Sequence, residues 1–161
     1  RTTQPPVAAT LVGVLEPYES KPTRNAIRRL RLRDSAGSLC PDGYVAIETQ
    51  LAEGGWDLLI SADIDSRPAA SLADGAGVLE PESGAQFEGD LCLVRFGKSK
   101  EPQRVLFCRG RSLRIGNLLV RTKDDQASFE LDLENRQSPI VAGPAAAVDT
   151  VELGGARLWP K

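Results

Sequence analysis

Histidine and methionine are absent from this chain, aromatic residues make up only 5% of it, and cysteine occurs three times. Each shortage excludes something. Without histidine there is no imidazole to serve as a general base near neutral pH, to bind zinc in the commonest way, or to activate a serine or cysteine nucleophile. An odd set of cysteines, Cys40, Cys92 and Cys108, cannot close into a disulfide framework. No apolar run approaches the ~20 residues that a transmembrane helix needs, and no secretory leader is evident. No segment sustains a 3.6-residue period over three turns. No phosphate-binding loop, G-x-G-x-x-G, G-x-S-x-G or H-E-x-x-H occurs. Charge of one sign is not in excess either. Basic residues number 20 and acidic residues 22, for a formal net charge of −2. A near-neutral whole argues against nucleic acid as the main partner, although a local basic patch is compatible with it.

What remains is alternation. The chain begins at Arg1 rather than at methionine, so it reads as a piece cut from a longer protein or as a mature product. An export signal would then lie outside it. Residues 1–8 are polar and proline-bearing and read as a linker end. Residues 9–161 are long enough to bury one core without staples. Residues 10–16 read as a first strand, which Pro17 ends. Residues 25–33 alternate clearly, with Leu30 and Leu32 on one face and Ile27, Arg29, Arg31 and Arg33 on the other. Residues 44–51 and 56–62 read as the next strands, joined by a tight turn at Gly54 and Gly55. Residues 78–79, 85–88, 90–96, 103–110, 111–115 and 118–123 follow as short strands. Gly97-Lys-Ser-Lys-Glu101 closes a hairpin and Gly116-Asn117 another. Residues 127–134 place Phe129, Leu131 and Leu133 inward, with Ser128, Glu130, Asp132 and Glu134 outward. Short strands at 139–141, 149–153 and 156–159 complete the pattern. Turn signals recur at roughly 8–12-residue intervals, the spacing of an all-β sandwich or barrel. The expected fold is an antiparallel β-sandwich, jelly-roll-like, with little or no helix beyond one short turn near 69–73.

Arginine two residues apart on a strand gives a row on one face, with steps of roughly 6.6–6.8 Å. Arg29, Arg31 and Arg33 form such a row. A guanidinium fork matches the paired oxygens of carboxylate or sulfate, so the row suits an extended acidic polymer. The alternative is internal pairing: Glu130, Asp132 and Glu134 repeat at the same spacing, and would neutralise the arginines if the two strands were neighbours. A second basic set comprises Lys98, Lys100, Arg104, Arg109, Arg111 and Arg114. It either converges at one sheet edge or keeps that edge from aggregating. Sugar rings present flat C–H faces that stack on aromatic rings. Tyr44 follows a Pro-Asp-Gly turn, Trp56 follows Gly-Gly at a strand mouth, and Tyr18 sits in a loop. Each position allows an exposed ring, although tryptophan more often fills a core. Asp63 and Asp65 are a weak calcium candidate, and an ordinary acidic loop explains them as well. Cys92 and Cys108 fall in neighbouring strand candidates, which admits one bridge. Three small core residues is the plainer reading.

One stretch carries a family likeness. Ala9-Thr-Leu-Val-Gly-Val-Leu-Glu-Pro-Tyr18, followed by a polar loop and Ile27-Arg-Arg-Leu30, resembles a segment of heparinase II/III-like polysaccharide lyases. Phe87-Glu-Gly-Asp-Leu-Cys-Leu-Val-Arg95, Arg104-Val-Leu-Phe107 and Ser112-Leu-Arg-Ile-Gly116 are similar to the closing strands of that region. The likeness covers residues 9–121 as a pattern. It implies a β-sandwich and an extracellular or periplasmic setting in the breakdown of acidic glycans. It carries over no catalytic residue, because such lyases place theirs on a preceding helical toroid and central sheet. The expectation is a non-catalytic module that binds an acidic polysaccharide, uronic-acid-containing or sulfated, beside a glycan-degrading catalytic domain of the same parent chain. Arg29, Arg31, Arg33, Tyr44 and Trp56 are the expected ligand residues, and no cofactor is expected. A structural domain of a lyase and a β-sandwich used in adhesion or assembly are the alternatives.

Overall fold

Period-two alternation becomes antiparallel pairing throughout the chain. The computed structural model describes residues 24–62, 77–124, 127–134 and 140–159. The strands are β1 (Arg24–Leu30), β2 (Val45–Leu51), β3 (Trp56–Ser61), β4 (Val78–Glu80), β5 (Ala85–Phe96), β6 (Pro102–Ile115), β7 (Leu118–Thr122), β8 (Ser128–Asp132), β9 (Ile140–Ala142), β10 (Val148–Leu153) and β11 (Ala156–Trp159). A single 3-10 turn, Ala145–Ala147, is the one helical element among the described residues. All strands belong to one antiparallel sheet whose main path runs β1-β2-β3-β5-β6-β7-β10-β11. The expected all-β, sandwich-like class is what forms. The element around 10–16, the turn near 69–73, Tyr18, Asp63 and Asp65 lie outside the described residues.

The main departure from the sequence expectation is in the middle of the chain. Segments 85–88 and 90–96 are one strand, as are 103–110 and 111–115. The divisions expected from sequence fall at Gly89 and just after Gly110, and glycine weakens a strand. Here the two glycines face each other in the ladder. A Cβ on Gly89 would lie 2.5 Å from Phe87 Cζ and 2.8 Å from the Gly110 Cα, and one on Gly110 only 2.6 Å from the Glu88 carbonyl oxygen. The two backbones approach each other at a point where only glycine fits. The register shifts there, between Glu88 and Gly89, and Arg109 takes φ 40°. In β5 the buried positions change from Ala85 and Phe87 to Cys92, Val94 and Phe96. The pleat phase is therefore reset across the distortion, and both halves face one core.

This long ribbon serves two layers. The first half of β5 pairs with β4 and the second half with β3. The first half of β6 pairs with β8 and the second half with β7. One layer is thus built on β1-β2-β3 and β8-β9, the other on β4 and β7-β10-β11. Leu58, Ile60, Val94, Val105 and Leu131 from the first meet Phe87, Leu113, Leu118, Val120 and Val151 from the second in one cluster. Phe87 meets Phe107 edge-on at 5.6 Å, and Phe107 stacks on Phe129 at 5.1 Å. Burying each such side chain contributes about 1.5–3 kcal/mol. Among the described residues no helix is long and apolar enough to cross a membrane.

Strand β2 buries both faces: Ala46 belongs to the core, while Val45 and Ile47 on the other side are 7% and 6% exposed. The register explains it. Ile47 lies opposite Leu59, Leu59 opposite Leu93, and Leu93 opposite Leu106, an apolar row on the outer surface of the layer. Cys92 and Cys108 are not bridged to each other. Cys92 lies opposite Phe107 and Cys108 opposite Leu91. The two cysteines are one position out of register, so the pleat sends them to opposite faces and the bridge admitted by the sequence does not form.

Candidate functional site

The arginine row begins on β1 and continues past its end. Leu30 and Leu32 are each 4% exposed, which leaves Arg29, Arg31 and Arg33 on the outer side as alternation requires. β1 stops at Leu30 because the chain then folds back on itself. Asp34 Oδ1 accepts hydrogen bonds from the Ala36 and Ser38 amides at 3.0 and 2.8 Å. The Cys40 amide donates to the Leu32 carbonyl at 3.0 Å, and the Tyr44 amide to the Pro41 carbonyl at 3.0 Å. These turns bring Tyr44 beside the row. Arg29, Arg31 and Tyr44 line one groove of about 370 Å³, together with Leu39, Pro41 and Asp42.

The three guanidinium groups differ in what holds them. Arg29 donates to the Asp42 carbonyl at 3.2 Å and stands 3.5 Å from Asp42 Oδ1. Arg33 Nη1 donates to the Gly37 carbonyl at 2.6 Å, a neutral acceptor that leaves its charge uncompensated. Arg31 is exposed and has no side-chain partner among the described residues. The internal pairing with Glu130, Asp132 and Glu134 does not occur. β1 pairs with β2, whereas β8 lies between β6 and β9.

The arginines of the second basic set do not lie at an edge: β6 is a central strand flanked by β5, β7 and β8. Three of them are neutralised across the ladder, while Arg114 and the hairpin lysines Lys98 and Lys100 have no ion pair among the described residues. Arg104 meets Asp132 at 3.7 Å, Arg109 pairs with Asp90, and Arg111 meets Glu88 at 4.0 Å. Beside them Arg95 grips Asp57 with a fork, Nε to Oδ1 at 2.8 Å and Nη2 to Oδ2 at 2.9 Å. That fork holds the Arg95 pKa above its ordinary value, against an opposing effect of burial. Arg95, Arg104, Arg109 and Arg111 therefore have anions of their own and are poor contacts for an acidic ligand.

Trp56 is elsewhere. Its indole stacks on Phe96, with centroids 4.0 Å apart and planes 4° from parallel. It lines a groove of about 520 Å³ with Arg28, Glu48, Gln50, Glu82, Lys100 and Asn117. Gly55 places it there: φ is +93° and an added Cβ would fall 2.4 Å from the Phe96 carbonyl oxygen. Arg28 donates to Glu82 and, at 3.2 Å, to Glu48. Those carboxylates, Glu82 first, raise its pKa. The structure therefore joins Arg29, Arg31 and Tyr44, sets Arg33 beside them on the Gly37 turn, and separates Trp56.

Arg28, Glu48 and Gln50 were not among the sequence candidates. Their signal was parity. Arg28 shares the face of Leu30, and Glu48 and Gln50 that of Ala46, so each is a polar residue with the parity of a core-facing position. Comparison with known proteins found no match: no family model, no curated protein and no solved structure resembles this chain. The Glu-Pro-Tyr element that carries the lyase likeness lies outside the described residues.

Proposed function

We propose that this chain is a non-catalytic β-sandwich module that binds an acidic polysaccharide, uronic-acid-containing or sulfated, and accompanies a glycan-degrading enzyme outside the cytoplasm. One observation carries the proposal: Arg31, with no carboxylate partner among the described residues, shares a groove with Arg29 and Tyr44. Arg31 forks the carboxylate or sulfate of one sugar unit. Tyr44 offers a ring edge or face to the sugar C–H surface. Arg33 continues the positive row toward the next unit. The absence of histidine from the chain supports binding rather than turnover, because no imidazole is present to move a proton.

Affinity electrophoresis tests this. Gels cast with polygalacturonate, chondroitin sulfate or heparin should retard the protein, and the retardation should weaken as salt rises. Dextran should not retard it through this groove. Arg31→Gln should weaken the acidic interaction about ten-fold, the effect of losing one charge-assisted contact of ~1.4 kcal/mol. If none of the acidic gels slows the wild-type protein, the proposal fails.

A further inference from the structure

The groove around Trp56 lies at an open end of the sandwich, between the layers. One wall comes from Arg28 on β1, Glu48 and Gln50 on β2, Trp56 at the start of β3, and Phe96 and Pro102 at the ends of β5 and β6. The other comes from Glu82 and Ser83 in the β4–β5 turn, with Ile115, Gly116 and Asn117 in the β6–β7 turn. Arg28 and Glu82 link the two walls. Glu82 is held in place by its own turn. The buried Glu80 carboxylate accepts hydrogen bonds from the Glu82 amide at 2.9 Å and from the Ser83 amide and hydroxyl, each at 2.6 Å. The volume falls within the roughly 300–1,000 Å³ of small-molecule sites.

Arg28, Glu48 and Glu82 satisfy one another in this groove, and Lys100, exposed on the β5–β6 turn, adds the second positive charge that balances the two carboxylates. Arg28 is held by both Glu48 and Glu82, so its guanidinium is not available for an anion. The apolar wall is flat: Phe96, 5% exposed, takes one face of the indole, and Trp56 retains part of its surface along the groove. Gln50 and Asn117 each bring an amide, with both a donor and an acceptor. An uncharged ring with an apolar face and a rim of hydroxyls satisfies all of these surfaces. A charged sugar does not, since its carboxylate or sulfate would meet Glu48 and Glu82.

We propose that the groove between the layers, floored by the Trp56–Phe96 stack, is a second carbohydrate site that takes a neutral sugar residue. It is separate from the arginine groove. Tyr44 and Gln50 mark opposite ends of β2, about 20 Å apart at ~3.4 Å per residue. Arg28 and Arg29 point to opposite faces of β1. The module would thus contact a glycan at two independent places, one through charge and one through stacking.

Tryptophan fluorescence of the whole chain, titrated with cellohexaose, maltohexaose, xylohexaose and mannohexaose, tests the proposal. At least one should quench or shift the emission saturably, with an affinity that salt does not change. Trp56→Ala should weaken that binding ten-fold or more, about the loss of one stacking platform, as read by calorimetry. Asn117→Ala, at an exposed turn, should weaken it with the thermal midpoint unchanged and so covers the case in which Trp56→Ala does not fold. Trp159→Phe should leave the fluorescence response intact, and Arg31→Gln should leave the affinity intact. Absence of binding to all four oligosaccharides overturns the proposal, as does affinity that survives both Trp56→Ala and Asn117→Ala. Loss of binding in Arg31→Gln would show one shared site and also overturns it. Failure here leaves the acidic-gel result standing, and the reverse holds equally.

Discussion

Gly110→Ala is the sharpest test of the architecture, because the groove around Trp56 depends on the β5–β6 ribbon bending into two layers. The substitution adds one methyl group. At an unobstructed site it would stabilise the protein by about 0.4–1 kcal/mol, through lost freedom in the unfolded chain. Gly110 is not such a site. The new Cβ would stand 2.6 Å from the Glu88 carbonyl oxygen, 2.8 Å from the Gly89 Cα and 3.0 Å from the Phe107 ring. The first two are backbone atoms and cannot rotate aside, and Phe107 is fully buried between Phe87 and Phe129. Overpacking of this kind costs about 1–3 kcal/mol. A net loss of about 2 kcal/mol corresponds to a fall in Tm of roughly 4–8 °C for a chain of this size. Gly43→Ala is the matched control, since no atom lies within 4 Å of its added Cβ. Thermal and urea unfolding of both variants provides the assay. If Gly110→Ala unfolds at the same temperature as Gly43→Ala, the close crossing does not exist, and the two-layer arrangement and its open end go with it.

Two further outcomes can be checked on the same preparations. Asp57 is 3% exposed and is gripped by Arg95, whose side chain is 40% exposed, with Arg24 at 3.8 Å. After allowing for solvent screening at the arginine, Asp57→Asn should destabilise by about 1–2 kcal/mol, measured as a lower urea midpoint; an unchanged midpoint would mean that the fork contributes nothing. Burial raises the pKa of the Cys92 thiol well above its ordinary value. The folded thiol therefore stays protonated at pH values where the unfolded one ionises. Its contribution to stability is complete below about pH 9 and falls as pH rises further. Native Cys92 should resist a thiolate-directed reagent at pH 8 and react on unfolding; rapid labelling of Cys92 in the native protein, located by peptide mapping, would contradict this.

The outer arginine row was legible because alternation is local: once Leu30 and Leu32 are inward, Arg29, Arg31 and Arg33 must be outward. The same logic placed Phe129, Leu131 and Leu133 in the core. Tyr44 was legible through its turn, since Pro-Asp-Gly sets the chain direction just before β2. Pairing partners were not legible. Glu130, Asp132 and Glu134 have the right spacing to neutralise the row, yet they lie away from it and Asp132 meets Arg104 instead, because which strands become neighbours depends on the whole topology. Gly89 and Gly110 show the same limit. A glycine can end a strand or permit two backbones to touch, and only the facing strand decides which.

By itself, the order of residues determined the all-β class, the inward and outward sets of each strand, and the lack of imidazole chemistry. Those properties follow from the two-residue period of an extended chain and from composition. Tertiary structure alone decided that the arginine row keeps an unneutralised member, that Trp56 belongs to a different groove, and that Arg28, Glu48 and Glu82 converge between the layers. The reason is physical. Faces are set by neighbours in sequence, whereas charge partners and cavities are set by residues far apart along the chain, which the bent β5–β6 ribbon brings together.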